Sequence, residues 1–257
     1  MSARRVWGIA AILIAVAGPG AAALAARPKG RISAAGPVVQ SMIVGSSGAI
    51  LSPPRAVAAS ATAVRVGGRS CAVAAGTPLA VLAAVRRAGG PGYALRDYGR
   101  CGASQVNSGQ LFVYSLGGEA NRGQSGWEYK VDGTSGTTGA GDPSGPRGDG
   151  RRLRAGERML WFWCAASGGG CQRTLELGSV AGAVRRGGPL TVTASGRDDE
   201  GRAAPVAGAI VTLGSDFAST GAGGRATLIA PGAPGRYQLS ATRRGLVPSF
   251  PETIVVR

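Results

Sequence analysis

Histidine is absent from the 257 residues, which removes much catalytic and metal-binding chemistry at the outset. Neither a Ser-His-Asp nor a Cys-His nucleophile can be assembled, and no His-ligated metal centre can form. A Ser-Lys dyad would have to use Lys130, because Lys29 lies in a linker-like stretch, and no Ser-x-x-Lys spacing is present. Glu128, Asp132 and Glu157 lie on or near strand-like runs, but Glu128 alternates with Trp127 and Tyr129 and should face solvent. Asp132, Asp142 and Asp149 fall in a loop rich in Gly, Ser and Thr, at spacings that fit neither an EF-hand nor an RTX repeat. The chain is expected to be non-catalytic, with no metal and no resident cofactor.

The aromatic residues are the stronger lead. On strands, Trp127 and Tyr129 point to one face, and Trp161 and Trp163 point to one face with Phe162 opposite. If the two strands pair, these four rings share a surface, and Trp127, Tyr129, Trp161 and Trp163 are the candidate ligand-binding residues. The same alternation describes a small domain's core, and the sequence leaves both readings open.

Four cysteines, Cys71, Cys101, Cys164 and Cys171, imply two disulfides in an exported chain. Of the three connectivities, nearest-neighbour pairing is the simplest: Cys71 with Cys101, and Cys164 with Cys171. There is no Cys-x-x-Cys, so neither a zinc knuckle nor a low-pKa redox thiol is indicated. The Cys164–Cys171 pair reads as a stapled turn that sets the angle between two domains.

Export is also read from the N-terminus. Arg4 and Arg5 precede the apolar run from Val6 to Ala17, Gly18-Pro19-Gly20 breaks it, and Ala23-Leu24-Ala25 supplies small residues for cleavage. Residues 1–25 are therefore expected to be a signal peptide, too short to span a bilayer comfortably, leaving a secreted or cell-envelope protein with no stable membrane span. The formal charge is +16, nearly all of it arginine, scattered in pairs such as Arg86-Arg87 and Arg243-Arg244. That distribution suits a solvated basic surface able to meet acidic wall polymers; no nucleic-acid recognition motif accompanies it.

With 44% apolar residues but 45 glycines and 15 prolines, the apolar material should sit mainly in strands. Residues 26–54 read as a linker, and Arg55 to Val66 as a first strand. Thr77 suits a helix N-cap and Pro78 the first helical position; Leu79, Val81, Leu82 and Val85 form a stripe, and Gly89-Gly90 ends the helix. Strands follow at Leu111–Leu116, Trp127–Val131 and Arg158–Cys164, with Asp132–Gly150 as a mobile connection able to act as a lid. After residue 173, short apolar runs at Pro189–Ala194, Val206–Leu213, Arg225–Ile229, Arg236–Thr242 and Thr253–Val256 predict a small antiparallel β-sandwich. The fold class is mainly β: an α+β β-grasp-like domain over 55–173 with one short helix, then an all-β domain over 174–257.

Gly126-Trp127-Glu128-Tyr129-Lys130-Val131-Asp132-Gly133, followed by Arg154-Ala155-Gly156-Glu157 and the Arg158–Trp163 strand, resembles the transcobalamin-like C-terminal domain. Thr77-Pro78-Leu79-Ala80-Val81-Leu82 fits the same pattern, and the resemblance covers about residues 60–173. It implies a β-grasp-like fold and, because this domain closes over one face of the corrin in vertebrate carriers, a cobalamin-type ligand. The helical barrel that completes those carriers has no counterpart here, and the Asp132–Gly150 loop is longer than the motif requires. Pro205–Val211 and Thr220–Leu228 resemble immunoglobulin-like or carboxypeptidase-regulatory-like modules of exported bacterial proteins, which implies a spacer or adhesive role. The leading expectation is an exported binding protein presenting the aromatic face to a small ligand or a partner protein. The alternative is a structural or adhesive envelope protein whose basic surface contacts acidic wall polymers.

Overall fold

The computed structural model describes residues 35–178 and 180–257, so the expected signal peptide lies outside the described residues. The first strand begins where a linker is expected: β1 (Val38–Val44) and β2 (Ile50–Ala58) form an antiparallel hairpin. The linker assignment over 26–54 is thus corrected from Val38 onward. Gly45 to Gly48 imitates linker composition but is only the hairpin turn, whereas Val39, Met42, Ile43 and Val44 are all buried. The expected strand from Arg55 to Val66 is also two pieces, the end of β2 and β3 (Thr62–Val66), which pairs with β4 (Arg69–Val73).

The helix α1 (Pro78–Arg87) forms as its end signals require. Thr77 accepts from the Ala80 amide, at 3.3 Å, and Pro78 opens the first turn. Arg86 and Arg87 occupy the last turn, where the helix dipole favours cations. Gly90 follows so closely that a Cβ there would lie 2.5 Å from a Val85 methyl. Every residue from Pro78 to Val85 is buried, a wider apolar surface than the four-residue stripe predicts.

Next come β5 (Tyr93–Asp97), β6 (Leu111–Leu116) and β7 (Glu119–Ala120), which form a three-stranded sheet. Then β8 (Gly126–Val131), β9 (Thr134–Ser135) and β10 (Arg158–Cys164) complete the main sheet in the order β2-β1-β10-β8-β9. β10 lies parallel to β1, with Ile43 beside Trp161, and antiparallel to β8, with Trp161 beside Tyr129 and Trp163 beside Trp127. A hairpin whose first strand pairs in parallel with the last strand, with one helix between, is the β-grasp arrangement.

Both faces of this sheet are covered. Met159, Trp161 and Trp163 of β10 join Val39, Ile43, Trp127, Tyr129 and the helix in one core. Leu160, Phe162 and Cys164 face the other way, against Met42, Val44 and Val247. That explains the uninterrupted apolar run of β10, since a strand buried on both sides has no solvent side to alternate with.

The remaining strands are β11 (Thr174–Gly178), β12 (Ala183–Val184), β13 (Pro189–Arg197), β14 (Ala203–Pro205), β15 (Ile210–Leu213), β16 (Asp216–Ser219), β17 (Arg225–Ile229), β18 (Gly235–Thr242) and β19 (Glu252–Val256). β13 pairs with β11, β14 and β17, while β12, β19, β18, β15 and β16 form a second sheet. Alternate residues of both sheets meet in one core that includes Leu175, Val192, Leu228, Val211, Leu239 and Ile254, so the two sheets make a sandwich. Between the strands of the sandwich the pairing is antiparallel except for β12 with β19, and an isolated parallel bridge joins Thr174 to Val247. β15 starts at Ile210 rather than Val206, because Gly208 adopts φ of +69° and belongs to a turn. All three of these core clusters lie within one compact unit of the described residues.

Candidate functional site

The four candidate residues are brought together as their register requires, but on the buried side. Trp127, Tyr129, Trp161 and Trp163 are only 3%, 5%, 1% and 4% exposed. Trp127 meets Trp163 edge to face with centroids 5.9 Å apart, and Tyr129 lies 5.4 Å from Trp161. The exposed aromatic binding face is therefore corrected: these rings are the core beneath α1. Alternation places residues on a common face and carries no information about what covers that face.

Burial has a measurable consequence at Tyr129. Its hydroxyl donates to the Thr138 carbonyl at 2.8 Å, with the Pro146 carbonyl at 3.3 Å. Desolvation, the largest cause, pushes the phenol up from 10.0 to about 12. The folded protein therefore holds this proton more tightly than the unfolded chain, so its contribution is complete below pH 10 and is lost as pH rises through about 12. Ultraviolet titration at alkaline pH should show a phenol ionising near 12 that disappears in Tyr129→Phe, beside Tyr93, whose phenol burial also pushes up; a normal titration of all tyrosines would refute the burial.

The Asp132–Gly150 segment is not a free lid. Besides the Tyr129 contact, the Ala140 carbonyl accepts from Leu79 at 2.8 Å, Ser108 Oγ donates to the Gly141 carbonyl at 2.6 Å, and Thr137 donates to the Pro146 carbonyl at 2.9 Å. Gly139 passes so near Gly109 that a Cβ would sit 1.8 Å from its carbonyl oxygen. Glycine-rich composition here serves close approach as well as turning.

β6 and β8 run beside each other without pairing. At one end the Asn121 amide bridges them, its Nδ2 donating to the Val113 carbonyl at 3.3 Å and its Oδ1 accepting from the Trp127 amide at 3.0 Å. Beyond it lies a cleft of about 170 Å³, lined by Leu111, Val113, Trp127, Tyr129, Ala140 and Trp161 among others. Three of the four candidate aromatics thus reach a cleft, although they present no open face.

A different aromatic group is exposed. β6 turns Leu111 and Val113 inward and Phe112 and Tyr114 outward. Arg96 of β5 pairs in register with Phe112 and stacks 4.8 Å above the Tyr114 ring, while Tyr98 lies 6.2 Å from Phe112. Tyr98 and Phe112 are 67% and 42% exposed. Neither Arg96 nor Arg100 has a carboxylate partner among the described residues. Sequence reasoning missed this row because β5 is a short Tyr-Ala-Leu-Arg-Asp run with little alternation. The outward pair in Leu-Phe-Val-Tyr was the available signal.

Lys130, which the sequence raises only as the lysine a Ser-Lys dyad would need, takes a structural place instead. Its side chain, wholly buried, leaves the sheet on the face opposite Tyr129 and donates to the carbonyls of Asp198 at 2.8 Å and Arg197 at 3.3 Å, with Asp199 Oδ1 at 3.4 Å. Desolvation lowers its pKa, and the carboxylate of Asp199 opposes that shift. Asp199 also accepts from Ser135 Oγ and the Cys171 amide. Both disulfides pair as nearest neighbours, Cys71 with Cys101 and Cys164 with Cys171. The Cys164–Cys171 turn is accordingly one of several ties between β10 and the sandwich, alongside Lys130 and the Arg158–Glu252 ion pair at 2.6 Å. A cavity of about 370 Å³ opens between these ties, lined by Leu160, Leu175, Leu177, Phe250 and the paired Arg158 and Arg197.

Among known proteins, no family model and no curated protein matches the chain. Among solved structures, the D00–D0 domain of Intimin is similar to it at 15% identity over 58% of this chain and 90% of that one, with a TM-score of 0.22. A likeness of that size carries no weight for fold or function.

Proposed function

We propose that the chain is an exported, non-catalytic envelope protein of structural or adhesive character, and that the β5–β6 surface contacts acidic wall polymers. The observation that carries this reading is the exposed row of Arg96, Phe112, Tyr98 and Tyr114, which contributes to no core. Exposed aromatics beside unpaired arginines combine stacking area with charge, the composition typical of interaction hot spots. The +16 charge, the two disulfides and the signal-like N-terminus support an extracellular setting. The sandwich acts as a spacer joined stiffly to the β-grasp part near residue 173. A corrin has no place in this reading: the candidate rings are core, and the cleft reaching them is far too small for the macrocycle.

Binding of the oxidised protein to polygalacturonate, a soluble acidic polysaccharide, tests the proposal. Affinity should fall about tenfold or more between low and high salt, as screening of exposed charges demands. It should also fall in the surface variant Arg96→Ala/Tyr98→Ala/Phe112→Ala, with circular dichroism unchanged. Binding that ignores both salt and the variant would exclude this surface.

A further inference from the structure

A second basic feature lies away from β5 and β6. The turn joining β1 to β2 faces the segment that follows β18, and between them opens a cavity of about 500 Å³. Arg243 and Arg244 line it from the β18 side, Ser46 and Ser47 from the hairpin turn, with Gln172 and Thr242 beside them. Among the described residues, no aspartate or glutamate lines it. Arg243 and Arg244 are exposed, and neither has a carboxylate partner among the described residues. The Glu119 carboxylate accepts from the Ser46 amide at 2.8 Å but is not part of the lining, so one outlying acid stands against two guanidiniums. The Gln172 amide is occupied: its Nε2 donates to the Trp163 carbonyl at 2.6 Å and its Oε1 accepts from the Ala165 amide at 2.8 Å. The side-chain groups left for a ligand are two guanidiniums, which only donate, and hydroxyls, which can donate.

We propose that this cavity binds the phosphate monoester of a sugar or polyol, its phosphate held by Arg243 and Arg244 and its carbon skeleton laid against Ile210 and Leu246. Charge sets the sign of the ligand, since two cations with no acid in the lining favour an anion. Donor number sets the kind of anion. A phosphate monoester carries close to two negative charges at neutral pH and three acceptor oxygens, which match two guanidiniums and a hydroxyl. A carboxylate offers one charge and two oxygens, enough for a single bidentate arginine. Size and shape set the rest: the cavity lies in the range of small-molecule sites, and Ile210, 40% exposed, adds an apolar wall beside the polar one. The site shares no residue with the β5–β6 surface and does not depend on the polymer-binding reading.

Calorimetric titration of the oxidised protein with glucose 6-phosphate tests the proposal. Saturable binding is expected, with none for glucose. Glucuronate, which carries a carboxylate where the probe carries its phosphate, should bind about tenfold or more weakly, the factor for losing a charged hydrogen bond. Arg243→Ala/Arg244→Ala should weaken binding of glucose 6-phosphate by about tenfold or more with circular dichroism unchanged. Ser47→Asp, which adds a carboxylate to the lining while leaving both arginines, should do the same. Arg185→Ala/Arg186→Ala removes equal charge from another exposed turn of the sandwich and should leave binding unchanged. No saturable binding, glucuronate binding as tightly as glucose 6-phosphate, or equal losses in the two double-arginine variants would each overturn the proposal. The last result would mean attraction to net charge alone.

Discussion

Replacing Lys130 by alanine should destabilise the protein by about 3–5 kcal/mol, the range for removing one partner from a buried charged cluster. The side chain is wholly buried, and the groups it holds come from the β13–β14 turn: the Arg197 and Asp198 carbonyls and the Asp199 carboxylate. Alanine leaves both carbonyls without their donor and opens a void beside Phe162, whose ring lies 5.6 Å from the ammonium. For a unit of this size the midpoint of thermal unfolding should drop by roughly 10 °C. Lys130→Met separates the contributions, because it keeps the volume and loses only the charge and its hydrogen bonds. If the methionine variant unfolds at the wild-type temperature, the ammonium contributes nothing net and its role is packing alone. Small-angle scattering of both variants would show whether the sandwich then swings relative to the sheet, a freedom that Cys164–Cys171 and the Arg158–Glu252 ion pair would still restrain.

Removing the Cys71–Cys101 disulfide as the paired alanine variant should cost about 3–4 kcal/mol, the loop-closure value for a loop of this length. The two cysteines are 30 residues apart in sequence, with Cα atoms 5.2 Å apart. The bridge joins the β3–β4 hairpin to the turn after β5, two small sheets that do not pair with each other. Polar ties across this junction are few among the described residues, the Ala72 amide to the Gly102 carbonyl at 2.8 Å and Arg69 to Asp97 at 2.7 Å, although Val64, Val66 and Val73 also pack into the core beneath the main sheet. The Arg69 side chain is more than half exposed, so that ion pair adds little. Hydrogen exchange should therefore accelerate first in β3 and β4, before the main sheet is affected. Uniform acceleration across β1, β8 and β10 would mean that the hairpin is part of the cooperative core and not an appendage stapled to it.

Much of the fold was legible because local signals agreed with it. The helix ends are written in Thr77-Pro78 and Gly89-Gly90, and β6, β10 and β17 begin and end where the apolar runs do. The pairing of cysteines followed from proximity in sequence. β1 escaped because its glycine-rich turn looks like linker, and because a strand stabilised by parallel pairing with β10 depends on a partner more than a hundred residues away. β5, β7, β9, β12 and β14 escaped because they are short or weakly patterned and take their conformation from the strand beside them.

The candidate site divides along the same line. The spacing of Trp127, Tyr129, Trp161 and Trp163 was enough to place four rings on one face, since side chains alternate along any strand. Whether that face met water was decided by α1 and its neighbours, which cover it, while the sandwich covers the opposite side. Composition alone excluded histidine chemistry and pointed to disulfides and a basic surface. The tertiary structure moved the exposed aromatics to Tyr98, Phe112 and Tyr114, assigned Lys130 to a clamp, and left the Trp161 N–H without an acceptor among the described residues. Those outcomes depend on contacts between residues distant in the chain, and such contacts leave no periodicity for a single sequence to display.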